Sequence, residues 1–348
     1  MKNNKIAIIG HFGGNEERLD GQTIKTKILY DELKSATEWE ILKVDTYYKN
    51  KKPIKLIKDT LACLLKTNDI IILISQNGMK VYFPLLMVFS KLFNIKVYHD
   101  VIGGNLDKYV KQYPRYKQYL NSFKVNWVET AGMKQRLKNE GINNCEVIPN
   151  FKRLEIAKIC EEKYMEPFKF CIFSRVMKEK GIEIAIEAIQ KINAEAKRTV
   201  CELDIYGQVD DKYEQTFQAV MSKITSSIRY KGEVPYKEST KTLQQYYALL
   251  FPTFWDGEGF PGTVIDAFSA GIPVIGSDWN CNKEIITHKV NGIIYPNSEM
   301  ENLQQAIKWL IEQRETIDVF KKNCIDEARR YQPDCYINKM IKEIECAK

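Results

Sequence analysis

Short, almost wholly apolar runs alternate with longer amphipathic stretches along this chain. In the first half KIAIIG (5–10), EILKV (40–44), DIIILIS (69–75), IKVYHDV (95–101), KVNWVE (124–129) and CEVIPN (145–150) read as strands. Between them TIKTKILYDELK (23–34) and MKVYFPLLMVFSKLF (79–93) carry apolar residues at helical spacing. Near-continuously apolar strands separated by helices predict a parallel sheet covered on both faces. The second half repeats the plan. KFCIFSRV (169–176), CELDIYG (201–207) and ALLFPT (248–253) read as strands, and so does IPVIGSD (272–278). IEIAIEAIQKI (182–192) reads as a helix, and NLQQAIKWLIEQ (302–313) opens a tail of helices with no strand left to alternate with. The expected fold class is α/β, with two Rossmann-like doubly wound domains over 1–150 and 151–330. A C-terminal helix over 331–348 is expected to return toward the first, and IPNFKR (148–153) makes a hinge. Ligands of such sheets bind outside the carboxyl ends of the strands, so the expected site is a cleft between the domains.

Composition narrows this picture. A length of 348 residues suits two domains, and 44% apolar with 28% charged residues suits a soluble globular chain. No apolar run reaches the ~18 residues of a membrane-spanning helix. The opening MKNNKIAIIG passes straight into a strand without signal-peptide organisation, so a cytoplasmic location is expected. Nine cysteines stand singly with no CxxC pair, which reads as reduced thiols. Only His11, His99 and His288 are present, which argues against a multi-histidine metal site. Residues 1–150 hold 24 Lys+Arg and 15 Asp+Glu, a net of +9, against 28 and 30, a net of −2, in the remainder. The basic half suits an anionic membrane surface or equally a solvated lysine-rich face. No nucleic-acid recognition motif accompanies the charge.

Two stretches carry chemistry. In FSRVMKEKGIEIAIEAI (173–189) Arg175 ends a strand, and Lys180 and Gly181 immediately precede a helix. A helix N-terminus offers free N–H groups and a positive dipole end, so two cations aimed there suit a diphosphate. The other reading is two surface cations at a turn. In GEGFPGTVIDAFSAGIPVIGSD (257–278) a glycine-rich turn precedes a short helix ending at Gly271. N–H groups near Gly262 and Thr263 can meet phosphate oxygens or sugar hydroxyls. Glu258 can accept from sugar hydroxyls or cap the helix. Asp266 can hold a ribose or serve as a helix-dipole carboxylate. Neither GxGxxG after the first strand, nor GxxxxGK[ST], nor DxD occurs.

These two stretches resemble the matching motifs of GT-B-fold glycosyltransferases of family 4. LDIYGQ (203–208), YKGEVP (230–235), NKEII (282–286), NGIIYP (291–296) and the junction VIPNF (147–151) extend the resemblance over nearly all of the second half. It implies a retaining, metal-independent enzyme of hexosyltransferase type that uses a UDP- or GDP-sugar as co-substrate and needs no cofactor. Donor-binding positions implied are Gly207, Gly232, Glu233, Val234, Gly259, Phe260, Pro261, Gly262, Thr263 and Asp266, with the base read by the backbone of Gly232–Val234. The first half matches less closely. GHFGGNEERLDGQTIKTK (10–27) stands where the family has a glycine-rich loop near the donor phosphates, with Gly13, Gly14 and Gly21 as candidates. His99, in YHDVIGGN (98–105), is expected to face the cleft and touch the transferred sugar. His99, Glu258, Arg175 and Lys180 are the implied catalytic set. The family's second paired glutamate is Asp266 here, one methylene shorter.

The resemblance further implies a saccharide acceptor, often lipid-linked, and surface-polysaccharide synthesis such as capsule. YKNKKPIKLIKDTLACLLK (48–66) joins six lysines to an apolar face, as an interfacial helix at the inner membrane face would, or as an ordinary surface helix does. Two alternatives are a sugar-nucleotide epimerase of the same fold and a degenerate protein that only binds nucleotide sugar.

Overall fold

The computed structural model describes residues 4–16, 20–158 and 165–346. Residues 17–19 of the glycine-rich loop and 347–348 of the expected C-terminal helix lie outside the described residues. Contacts group the chain into two units. The first is Met1–Arg153 with Gly257–Phe260 and Gln332–Lys348; the second is Leu154–Asp256 with Pro261–Tyr331.

The first unit runs β1 (Lys5–Gly10), α1 (Gly21–Ala36), β2 (Glu40–Asp45), α2 (Pro53–Lys66), β3 (Asp69–Leu73), α3 (Gln76–Phe93), β4 (Lys96–Asp100), α4 (Leu106–Gln112), α5 (Arg115–Ser122), β5 (Val125–Val128), α6 (Ala131–Asn139) and β6 (Cys145–Val147). Its six strands pair in parallel in the order β2-β1-β3-β4-β5-β6. The apolar runs bury both faces of this sheet. Ala7, Ile9, Ile70, Ile72 and Val97 face one core with Phe83 and Leu86 of α3. Ile6, Ile8, Ile71 and Tyr98 face another with Ile28, Leu29 and Leu33 of α1. Asp20 caps α1, accepting from the Thr23 N–H, and Asn94 ends α3 in the left-handed conformation that asparagine tolerates.

The second unit runs β7 (Phe168–Phe173), α7 (Ile182–Ala196), β8 (Cys201–Tyr206), α8 (Glu214–Met221), β9 (Ile228–Gly232), α9 (Ser239–Leu243), β10 (Ala248–Phe251), α10 (Gly262–Ser269), β11 (Val274–Ser277), α11 (Asn282–Ile285), β12 (Gly292–Tyr295), α12 (Met300–Glu312) and α13 (Ile317–Arg329). Its sheet is also parallel, in the order β12-β11-β10-β7-β8-β9. The last helix, α14 (Asp334–Cys346), belongs to the first unit. Its Ile337, Met340 and Ile344 join the α1 core, and Glu343 accepts from the Trp127 indole at 2.6 Å.

Candidate functional site

Strand order reverses between β7 and β10 in the second unit. At such a switch point the loops leaving two adjacent strands diverge, and their carboxyl ends frame a crevice. The loop after β7 carries Arg175, Lys180 and Gly181. The loop after β10 leads to α10. The two are tied together, because the Phe254 N–H donates to the Glu179 carbonyl at 2.8 Å. Gly181 is required at this junction, with φ +73° and a Pro252 carbonyl where a Cβ would stand. Lys180 is 9% exposed, and its ammonium lies 5.5 Å and 5.0 Å from the ring centres of Phe251 and Trp255. Aromatic faces of this kind attract a cation. Arg175 is half exposed and 3.9 Å from Asp210, a loose ion pair.

α10 begins at the end of the strand whose loop carries these cations. Thr263 Oγ1 donates to the Phe173 carbonyl at 2.5 Å, pinning the first turn of α10 to the end of β7. Its N-cap is Pro261, and no side chain caps it. Asp266 is buried in the helix, and the Ser239 hydroxyl approaches its Oδ1 at 3.3 Å while lying nearer the Tyr236 carbonyl, at 2.7 Å. The ends of β8 and β9 meet where the Gly207 N–H donates to the Gly232 carbonyl at 2.8 Å. Gly207 has φ +127°, and a Cβ there would run into the Ser174 carbonyl. Gly232 ends β9 at φ +77° with open space beside it. Glu233 beyond it is exposed and Val234 half-buried. Arg175, Lys180, Gly207, Thr263 and the start of α10 are thus all linked through the ends of β7, β8 and β10.

In the first unit the order reverses between β1 and β3, and the glycine-rich loop leaves β1 there. Gly13 and Gly14 have φ +82° and +62°. The Phe12 and Gly14 N–H groups donate to the two carboxylate oxygens of Asp45, at 2.9 Å and 2.8 Å. Gly14 therefore closes the loop on β2 instead of offering its N–H outward, a correction to its expected place in a phosphate cradle. Gly21 is the exposed first residue of α1.

His99 is a second correction. It is 1% exposed, with its ring centre 5.0 Å from that of Phe83 and 6.0 Å from that of Phe123. Its Nδ1 lies 3.1 Å from Asn126 Oδ1. Both Asn126 amide hydrogens go to Leu120 O and Asn144 Oδ1, so Asn126 Oδ1 is the acceptor and Nδ1 carries the proton. Burial lowers this imidazole to about 4. His99 is a neutral, buried histidine on the α3 side of the sheet and is not exposed, contrary to expectation.

Gly257–Phe260 packs on the first unit. The Gly104 N–H donates to the Gly257 carbonyl at 3.3 Å, and a Cβ on Gly104 would strike the Glu258 carbonyl. Asn150 Nδ2 donates to the Phe260 carbonyl at 3.4 Å. Glu258 itself is 6% exposed. The Phe260 N–H donates to Glu129 Oε2 at 3.0 Å, and Glu129 Oε1 accepts from Lys25 Nζ at 2.9 Å. Lys25 also lies 2.7 Å from Asp100 and donates to Val101 O at 3.0 Å. Sequence reading passes over Lys25, Asp100 and Glu129. A lysine on a helix reads as solvated, and nothing local reveals that it is 5% exposed.

Residues 155–327 match the family model described as "Glycosyl transferases group 1". The GtfA subunit of the UDP-N-acetylglucosamine–peptide N-acetylglucosaminyltransferase of Streptococcus gordonii is 24% identical over 305 residues, covering 84% of this chain and 58% of that one. The chain thus spans little more than half of that relative, and 48% of an uncharacterised glycosyltransferase of Methanocaldococcus jannaschii. Among solved structures, sucrose-phosphate synthase from Thermosynechococcus elongatus superposes with a TM-score of 0.77 at 14% identity, covering 99% of this chain and all of that one. HepE from Anabaena, solved with UDP-glucose, superposes at 0.73 with 13% identity and the same coverage. The chain has the GT-B fold, and its residues 155–327 match the glycosyl transferases group 1 model, findings that support a glycosyltransferase.

Proposed function

We propose that this chain transfers a hexosyl group from a UDP- or GDP-sugar to a saccharide acceptor carried on a lipid, with retention of configuration and without a metal ion, in surface-polysaccharide synthesis. The observation that carries this reading is the second unit's switch point. There the loop after β7 carries Lys180 and Arg175, and α10, which no side chain caps, is pinned by Thr263 to the end of the same strand. In glycosyl transfer from such a donor, negative charge grows on the leaving diphosphate. Fixed cations and N–H dipoles aimed at that charge stabilise the transition state without reorganising, often the largest single contribution to rate. In this reading Gly262 and Thr263 add N–H groups, Gly232–Val234 hold the base, Asp266 the ribose, and Glu258 orients the sugar. The GtfA and HepE matches, whose names carry UDP-linked sugars, supply the donor class by analogy.

A peripheral contact with an anionic membrane is part of the proposal. Ile54, Ile57, Leu61 and Leu65 of α2 recur at three- and four-residue spacing and are 69%, 59%, 42% and 74% exposed. Lys51, Lys55 and Lys58 flank the stripe. A lysine-edged apolar stripe suits the headgroup boundary of a bilayer. No helix among the described residues is long and apolar enough to cross a membrane.

The test is a thermal-shift panel of UDP- and GDP-sugars with chelator present, followed by incubation of the best donor with and without lipid-linked saccharide. A ligand at 100 times its Kd should add about 2.7 kcal/mol of stability. The reading expects one donor to shift the melt in chelator and sugar to appear on the acceptor. Absence of any shift, a requirement for divalent metal, or conversion to another sugar nucleotide without acceptor would each contradict it.

A further inference from the structure

We infer that Glu129 is a positioning residue, which, oriented by Lys25, holds the Gly257–Phe260 backbone that carries Glu258. This deepens the proposed function, because it rests on Glu258 acting on the transferred sugar.

The geometry is that of a relay from α1 to the loop. Lys25 Nζ has three hydrogens and three oxygen neighbours, Asp100 Oδ1 at 2.7 Å, Glu129 Oε1 at 2.9 Å and Val101 O at 3.0 Å. Two of these contacts, to Glu129 and Val101, are hydrogen bonds, and Asp100 adds a charge pair. Lys25 thus fixes Glu129 by one oxygen, and the other accepts the Phe260 N–H at 3.0 Å. Lys25, Asp100 and Glu129 are each 5% exposed or less. Bonds from a buried carboxylate to a backbone N–H are charge-assisted and stronger than neutral ones.

Sterics close the same contact from the other side. A Cβ on Gly259 would stand 2.6 Å from Glu129 Oε2 and 3.0 Å from Gly103 Cα. The loop backbone thus lies directly on the carboxylate and on the Gly103–Gly104 backbone, with no side chain between. For stability alone, buried ion clusters are poor devices, since apolar residues of similar volume often do as well or better. What a Lys–carboxylate relay provides beyond stability is a defined place for one backbone amide. Asp100 supplies the second anion, and neither of its carboxylate oxygens has a hydrogen-bond partner among the described residues. Burial raises its carboxyl to about 6, with Lys25 opposing.

The experiment uses Glu129→Gln in the full chain. Lys25 holds the amide oxygen, so the amide NH2 is left facing the Phe260 N–H, donor against donor. Turnover of the donor should fall about 10- to 100-fold, the scale of one lost hydrogen bond to a charged group. KM for the donor and affinity for free UDP or GDP should stay within about twofold, and Phe260 amide exchange should quicken by at least about tenfold. Gly259→Ala, which pushes a methyl into the same oxygen, should likewise lower turnover and quicken Phe260 amide exchange. Unchanged turnover in both variants would overturn the inference, as would nucleotide affinity falling in step with turnover. If Glu129→Gln does not fold, Gly259→Ala and the wild-type Phe260 amide decide. That amide should exchange as slowly as the sheet amides of β5, and exchange at the rate of an unprotected peptide would refute the contact. Failure of the wild type to bind or turn over any nucleotide sugar would instead refute the proposed function, and the exchange measurement would still report on Glu129.

Discussion

Replacing His99 by Gln should make the protein less sensitive to acid. In the native state burial holds the imidazole at about 4, against 6.5 for the unperturbed group. Between those values the unfolded chain binds a proton that the native chain does not, so stability is full above about pH 6.5 and drains as pH falls toward about 4. The interval corresponds to about 3 kcal/mol at 1.36 kcal/mol per unit. The neighbouring Asp100 acts oppositely. Burial raises its carboxyl from 3.8 to about 6, with Lys25 opposing, so the native state holds its proton longer and stability falls as pH rises through that window. The two slopes oppose each other in the wild type, so its own pH profile does not isolate either. The difference between wild type and His99→Gln does, since Asp100 is common to both. Urea midpoints at pH 7 and 4.5 should show the stability gap shifting by about 2–3 kcal/mol in favour of the variant on acidification. A gap independent of pH would mean that His99 is accessible to protons in the native state, and its place in the Phe83–Phe123 core would be wrong.

Asp266→Asn should weaken the intact donor by roughly 10- to 100-fold, the scale of one lost bond to a charged group. It should also abolish most of the wild type's preference for ribose over 2′-deoxyribose donors in equilibrium binding. An unchanged preference would reduce Asp266 to a helix carboxylate held near Ser239. Gly207→Ala should cost on the order of 1–3 kcal/mol in unfolding experiments, since a left-handed backbone and the Ser174 carbonyl both oppose a Cβ. A variant as stable as wild type would show that the β7 and β8 loops can move apart. Ile57→Glu together with Leu65→Glu should abolish flotation with anionic vesicles at low salt while leaving the melting temperature within a few degrees, because both side chains are exposed. Flotation that survives would move the membrane contact elsewhere.

Much of the fold was legible because buried strands of a doubly wound sheet are apolar on both faces. The six strands expected in the first half all form, within one residue at their starts and up to three at their ends. β9 escaped because it is an edge strand, IRYKG, in which only Ile228 is buried. The grouping of Gly257–Phe260 with the first unit escaped for a different reason. It depends on Gly103, Gly104 and Glu129, more than a hundred residues away, and no local pattern encodes such a meeting. Parity explains His99. Side chains alternate along β4, so His99 shares the face of Val97 toward α3, while Tyr98 shares the α1 face. Strand-end position drew attention to it, and the alternation placed it in the core. The stretches around Lys180 and Asp266 stood out because a glycine and a helix start lie close together in each.

The central claim is that Lys180 and its neighbours at the β7–β10 switch point hold a diphosphate. Calorimetric titration of Lys180→Met with a nucleoside and with its diphosphate tests it most directly, using whichever base the wild type prefers. Methionine keeps an unbranched stem near Phe251 and Trp255 and removes the ammonium group. Diphosphate affinity should fall about 10- to 100-fold while nucleoside affinity stays within about twofold, and turnover should fall by about 10²–10³. Equal loss for nucleoside and diphosphate, or no loss for either, would contradict the claim.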